Sequence, residues 1–180
     1  MATLTTERLV LRRFRRSDTE SLNNVFGDSE VMRFGDGVKN AKWIDEWLSL
    51  RLNEYRRESP TGCWAIVEQT TQHTVGYCGL FFFPDVCGRP ETEIGYRLAR
   101  SYWGFGYATE AAQTVRDYAF NSLHLSRLIA MIDPQNVSSI RVAKKLGMRL
   151  EKEVMLPGYS HPDDIYAIER PDSTIVSAPR

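Results

Sequence analysis

The stretch Trp103-Gly104-Phe105-Gly106-Tyr107-Ala108-Thr109 constrains this chain more than any other. It follows a strand-like run, Glu93-Ile94-Gly95-Tyr96-Arg97-Leu98, and leads into a helix-like run from Ala108 to about Asn121. Two glycines and an alanine at alternate positions let the backbone come close to a ligand. The helix start behind them supplies unpaired N–H groups and a partial positive charge. Together they make an anion site, most naturally for a phosphate or pyrophosphate. Two common glycine-rich loops are excluded. The dinucleotide fingerprint needs a glycine where Thr109 stands, and the P-loop triplet Gly-Lys-Ser/Thr occurs nowhere. A plain strand-to-helix turn is the alternative reading.

With 180 residues the chain is expected to form one domain over 1–170, followed by a frayed tail, 171–180. Lys+Arg and Asp+Glu balance at 23 each, which argues against a large basic nucleic-acid face. The one basic run, Arg12, Arg13, Arg15 and Arg16, reads as a solvated edge. The three cysteines Cys63, Cys78 and Cys87 show no Cys-x-x-Cys spacing. That fits a reducing compartment and argues against a disulfide framework or zinc site. His73, His124 and His161 lack metal-ligand spacing, so no metal is expected. No signal peptide or membrane-length apolar run is evident, and the cytoplasm is the expected location.

Residues 8–14 alternate enough to form a first strand. Ser17-Asp18-Thr19-Glu20 is a capping-box pattern that opens a short helix carrying Leu22, Val25 and Phe26. Ile44, Trp47, Leu48, Leu52 and Tyr55 share one face of a second helix, roughly 41–57. Strands follow at 63–68 and 75–83, joined by a polar turn, and then at 91–98. After the glycine turn, Ala108, Ala111, Ala112, Val115 and Ala119 give the third helix a face of small residues. A strand at 128–132 closes a strand–helix–strand unit, which makes its two strands parallel. Ser138 or Ser139 can cap a fourth helix that stops at Gly147. Two more strands, 148–155 and 164–170, end the domain.

This order, with Glu93-Ile94-Gly95-Tyr96, Trp103-Gly104-x-Gly106-Tyr107-Ala108-Thr109-Glu110-Ala111 and Asn136-x-x-Ser139-x-Arg141-Val142-x-x-Lys145-Leu146-Gly147-Met148, resembles the GNAT acetyltransferase superfamily. The likeness covers about residues 7–170 and is strongest to the RimJ/RimL-type N-terminal acetyltransferases of ribosomal proteins. It implies an α/β (α+β) fold: a mixed, mostly antiparallel, seven-stranded sheet flanked by about four helices, with strands 4 and 5 splayed. It implies acetyl-coenzyme A as cosubstrate. The N–H groups from Gly104 through Phe105, Gly106, Tyr107 and Ala108 to Thr109 would hold the pyrophosphate. The backbone of Ile94, Tyr96 and Leu98 would pair with pantetheine, and Asn136 would contact the same arm; a loop residue capping the following helix is its alternative. Trp103 stands at the first position of the family's phosphate loop. Glu110 is expected to favour the helix dipole and to point away from the phosphates.

Acetyl transfer to an amine needs deprotonation of the amine, stabilisation of the oxyanion, departure of the thiolate and alignment of both reactants. Glu93 is the candidate general base; a strand residue in a hydrogen-bonded or salt-bridged pair is the alternative. Ser139 matches the family position near the sulfur; a helix cap is the alternative. The tyrosine that many superfamily members use as acid on the fourth helix is absent. By resemblance, residues 34–42, Trp43, Trp47 and residues 157–164 line the acceptor side, with Tyr159, His161, Tyr166, Asp36, Asp163 and Asp164 as its polar groups. The expected acceptor is a protein or peptide N-terminal amine, of a ribosomal protein in the family's manner or of another protein. The alternatives are a small-molecule amine (a polyamine, an aminoglycoside or an amino-acid analogue) and a non-catalytic coenzyme A-binding module. No nucleic-acid or membrane partner is expected, and the protein is read as a monomer or homodimer.

Overall fold

A computed structural model describes residues 1–57, 61–155 and 161–171. Its elements run β1 (Leu4–Thr5), β2 (Leu9–Arg12), α1 (Thr19–Phe26), α2 (Ala41–Glu54), β3 (Cys63–Glu68), β4 (Thr74–Phe83), β5 (Glu91–Leu98), α3 (Tyr107–Asn121), β6 (Arg127–Ile132), α4 (Val137–Lys145), β7 (Arg149–Val154) and β8 (Asp163–Glu169). One eight-stranded sheet holds them in the order β1-β2-β3-β4-β5-β6-β8-β7. Every pair is antiparallel except β5 with β6. The sheet thus has one strand more than the sequence implied, because Leu4–Thr5 folds back on β2.

Strands β3 and β4 are nearly unbroken apolar runs because both of their faces are covered. Trp64 and Ile66 point into a core built with Ala111, Ala112, Val115 and Ala119 of α3. Cys63 and Ala65, on the other parity, join Leu22, Val25, Ile44 and Leu48 of α1 and α2. The alternation is present, but both faces are apolar. A third, smaller cluster of Val86, Ile129, Val154 and Ile165 closes the far half of the sheet.

The start of α1 differs from the capping box expected at Ser17. A 3₁₀ turn, Arg16–Asp18, precedes the helix, and the Asp18 side chain makes no cap hydrogen bond. Asp18 instead goes inward, 3% exposed. Its carboxylate accepts from Arg12 Nη1 and Nη2 at 2.8 Å each, from Thr74 Oγ1 at 2.7 Å and from the Arg15 amide at 2.7 Å. A buried carboxylate must be paired and hydrogen-bonded, and this one is both. Arg12 is therefore half-buried, while Arg13, Arg15 and Arg16 are exposed as expected. Cys63 and Cys78 are buried and Cys87 is exposed.

Candidate active site

Between β5 and β6 the ladder has a single registered pair, Glu93 with Ile129. β5 is paired along its whole length with β4, and β6 along its whole length with β8. From Ile94 to Leu98, the edge of β5 that faces β6 therefore diverges from it. Ile94 and Leu98 are buried in the core under α3, which holds that edge rigid. Tyr96 lies on the same side of the strand. Its hydroxyl is buried with no hydrogen-bond partner, and Ser139 is the polar side chain beside it. Burial pushes the phenol up to about 12.

At the end of β5 the chain turns through two left-handed glycines, Gly104 (φ 82°) and Gly106 (φ 84°). Gly106 is the N-cap of α3, so the first-turn amides of a 15-residue helix open directly behind it. A side chain at Gly104 would meet nothing within 4 Å, so the turn faces open space. The turn is held from behind. Trp103 Nε1 donates to the Leu98 carbonyl at 2.9 Å, tying the loop to its strand. Arg8 Nη1 donates to the Phe105 carbonyl at 2.9 Å and lies 4.8 Å from the centre of the Tyr107 ring. Tyr107 is buried and donates its hydroxyl to Glu68. Glu110 accepts from Thr6 Oγ1 and from Arg8, with an ion pair of 2.5 Å. It thus points away from the turn, and its partners on the β1–β2 turn give a more specific reason than the helix dipole. Ala108 and Thr109 sit half-buried in the first turn, and Phe105 is exposed.

Glu93 stands at the point where the two strands part. Its Oε1 accepts from the Met131 amide at 3.1 Å, taking the place of a ladder carbonyl. The neighbouring ring is Phe81, its register partner on β4. That ring lies over Gly79 and Gly95, themselves a cross-strand pair; a methyl added at either would come within 2.9 or 3.1 Å of it. Glycine at both positions leaves room for the ring, and at Gly79 also for the Gly62 carbonyl, 3.0 Å from such a methyl. Burial raises the Glu93 pKa to about 7, and the charge of Asp163 adds to the rise. The Met131 amide and Arg97 oppose it without reversing it.

The start of α4 follows the alternative reading of Asn136 and departs from the reading of Ser138 or Ser139 as cap. Asn136 is the N-cap, and its Oδ1 accepts from the Ser139 amide at 3.1 Å. Neither Ser138 nor Ser139 caps the helix. The Ser139 hydroxyl is free of that duty, and Asn136 keeps its NH₂ group as a donor. Beyond the split, His161 lies 3.5 Å from Asp163 and 3.7 Å from Asp133. Trp43 and Trp47 stack edge-on against Phe26. Tyr166 is buried in the core on the α3 side of the sheet. Tyr159 lies outside the described residues. The sequence reading missed Met131, Phe81 and Arg97. Arg97 shares the strand parity of Glu93 and was legible on that ground; the other two are contacts that only the folded sheet creates.

Residues 8–149 match the family model described as the acetyltransferase (GNAT) domain. The chain belongs to the GNAT acetyltransferase family. It is 36% identical over 154 residues to YkkB, an uncharacterized protein of Bacillus subtilis (strain 168), covering 84% of this chain and 87% of that protein. It is 34% identical over 164 residues to the uncharacterized N-acetyltransferase p20 of Bacillus licheniformis, covering 88% of each. The crystal structure of a GNAT-family acetyltransferase from Bacillus anthracis superposes with a TM-score of 0.81 at 27% identity, covering 94% of this chain and 99% of that one. The protein is thus an acyltransferase that depends on acetyl-coenzyme A. Its residues fit that cosubstrate: a left-handed glycine turn at a helix N-terminus for phosphates, and a diverging strand edge with an orphaned buried hydroxyl beside it.

Proposed function

We propose that this protein acetylates the N-terminal amine of a peptide or protein, in the manner of the RimJ/RimL-type enzymes that its motifs resemble. The observation that carries this reading is the Glu93 carboxyl, raised to about 7 at the parting of β5 and β6. A base of that strength suits an amine that titrates near ~7.7–8.0, as an N-terminus does, better than a lysine near ~10.4. Bound acetyl-coenzyme A supplies the acetyl group as a thioester.

The amides from Gly104 to Thr109 hold the pyrophosphate, with no side chain at Gly104 or Gly106 to obstruct them. The β5 edge at Ile94, Tyr96 and Leu98 pairs with the pantetheine amides, and the Asn136 NH₂ group donates to the same arm. Glu93 accepts the proton that the amine loses as it attacks. The Met131 amide keeps the carboxylate aimed along the split. The Ser139 hydroxyl, not engaged as a cap, donates toward the departing sulfur.

A second reading is a cationic small-molecule amine such as a polyamine, which the acids Asp133 and Asp163 around His161 would favour. Consumption of acetyl-coenzyme A, measured across free-N-terminus peptides, polyamines and aminoglycosides, separates the two. Turnover of peptides is expected. Turnover of polyamines or aminoglycosides with none of any peptide would overturn the peptide reading and leave the cosubstrate assignment standing.

A further inference from the structure

Among the described residues six lysines and arginines are half-buried, and five of them face a carboxylate. Arg12 pairs with Asp18 at 2.8 Å, Lys39 with Asp36 at 2.7 Å, Arg51 with Glu54 at 2.8 Å and Arg116 with Asp117 at 2.7 Å. Arg127 pairs with Glu91, Glu151 and Glu169. The sixth, Arg97, has no carboxylate within ion-pair distance among the described residues. Its only hydrogen-bond partner there is Met32 Sδ, 2.7 Å from Nη1, and a thioether is a weak acceptor; the Asp36 and Glu93 carboxylates feel its charge from beyond ion-pair distance. A partly desolvated guanidinium without an anion is costly, and its rigid fork is shaped for a carboxylate or phosphate.

Arg97 lies on the same face of β5 as Glu93, two alternations further along the strand. The two side chains meet different partners. Glu93 meets Met131 of β6. Arg97 packs onto the loop after α1, where a methyl at Gly35 would come within 2.5 Å of its Nη2. Gly35 therefore leaves room for the guanidinium. The carboxylates that feel Arg97 have closer partners: Asp36 is paired with Lys39, and Glu93 accepts from the Met131 amide. Among the described residues Arg97 is the half-buried cation of this face with no direct ion pair. Its face is that of α1 and α2, opposite the α3 turn, so the anion it awaits belongs to the acceptor and not to the cosubstrate's phosphates.

We infer that Arg97 is an anion anchor for the acceptor, and that the preferred acceptor is an amine carrying a carboxylate some distance from it: a peptide with an acidic residue a few positions inside its N-terminus. Four residues of strand separate the Cα atoms of Glu93 and Arg97 by roughly 13 Å, which favours an acceptor whose carboxylate stands several atoms from its amine over an α-amino acid. The same leftover cation disfavours polyamines. The choice of a peptide rests on the proposed N-terminal acceptor; the anion site does not.

The test uses the full chain, Arg97→Gln and Arg97→Lys, and two peptides that share an N-terminal residue but carry either Asp/Glu or Asn/Gln at the inner positions. Wild type should favour the acidic peptide by about tenfold or more in kcat/KM, expressed in KM. Arg97→Gln should bring that ratio near unity, and Arg97→Lys should keep part of it. An acceptor-free arm titrates wild type and Arg97→Gln with glutarate, read by tryptophan fluorescence; the wild type should bind and Arg97→Gln should not. Glutarate binding without peptide turnover would sink the peptide reading alone. Equal kcat/KM for both peptides in wild type, or glutarate binding that survives Arg97→Gln in a protein of normal melting temperature, would overturn the anchor.

Discussion

The Glu93 carboxylate accepts the Met131 amide at 3.1 Å, next to the one registered pair that joins β5 to β6. A side chain thus closes the ladder where the backbone stops doing so. The group that marks the parting of the strands is also the strongest base candidate within it. Glu93→Gln keeps the size and the hydrogen bond but removes the base. We expect kcat to fall by roughly 10²-fold, with coenzyme A affinity unchanged. Wild-type activity should rise with pH through about 7, as the carboxyl group ionises, and this inflection should be missing in the variant. A wild-type rate in Glu93→Gln at neutral pH would remove it from the mechanism.

The same group predicts a stability slope. A carboxyl whose folded pKa is raised from 4.5 to about 7 binds its proton more tightly when folded. The native state therefore loses stability as pH climbs from about 4.5 to 7, by about 3 kcal/mol at most. Glu93→Gln should abolish that slope and melt higher than wild type above pH 7. Parallel melting curves in the two proteins across pH 4–8 would contradict the raised value.

Gly106 holds φ 84°, a conformation that a β-branched residue resists, and it belongs to the turn proposed to hold the pyrophosphate. Gly106→Val should weaken coenzyme A binding at least tenfold by calorimetry. Normal folding with unchanged affinity would move the site elsewhere.

At the start of α4 the structure separates two roles that the sequence merged. Asn136→Ala removes the cap and should cost about 1 kcal/mol of stability. Ser139→Ala leaves the cap intact, so it should barely shift the melting temperature while lowering kcat by a similar factor for every acceptor. A Ser139→Ala enzyme with full turnover would reduce Ser139 to scenery.

The Tyr96 hydroxyl is buried without a partner, and an unmet buried donor is destabilising. Tyr96→Phe should leave stability equal or about 1 kcal/mol higher in the free protein. If the hydroxyl meets the bound cosubstrate, coenzyme A should bind less tightly to the variant. A clear loss of stability would show that the hydroxyl already has a partner.

Local signals carried much of this protein. The glycine turn needs left-handed backbone at two named positions, and Gly104 and Gly106 supply it whatever surrounds them. The parallel β5–α3–β6 unit followed from chain length and handedness, and the small residues of α3 from one periodic face. What the linear pattern could not carry was what lies across the sheet. Asp18 looked like part of a capping box because Ser17 and Glu20 flank it. It turned inward because Arg12, on the preceding strand, and Thr74, distant in sequence, offered it three hydrogen bonds. Ser139 looked like a cap until the Asn136 side chain, three residues upstream, took its amide. The strength of Glu93 as a base depends on burial, on the Phe81 ring lying across Gly79 and Gly95, and on the Met131 amide. Arg97 acquired meaning only when every other half-buried cation among the described residues was found to have its anion. Backbone conformation and periodicity are properties of neighbours along the chain, and the sequence determined those. Charge pairing and burial are properties of neighbours in space, and only the tertiary structure decided them.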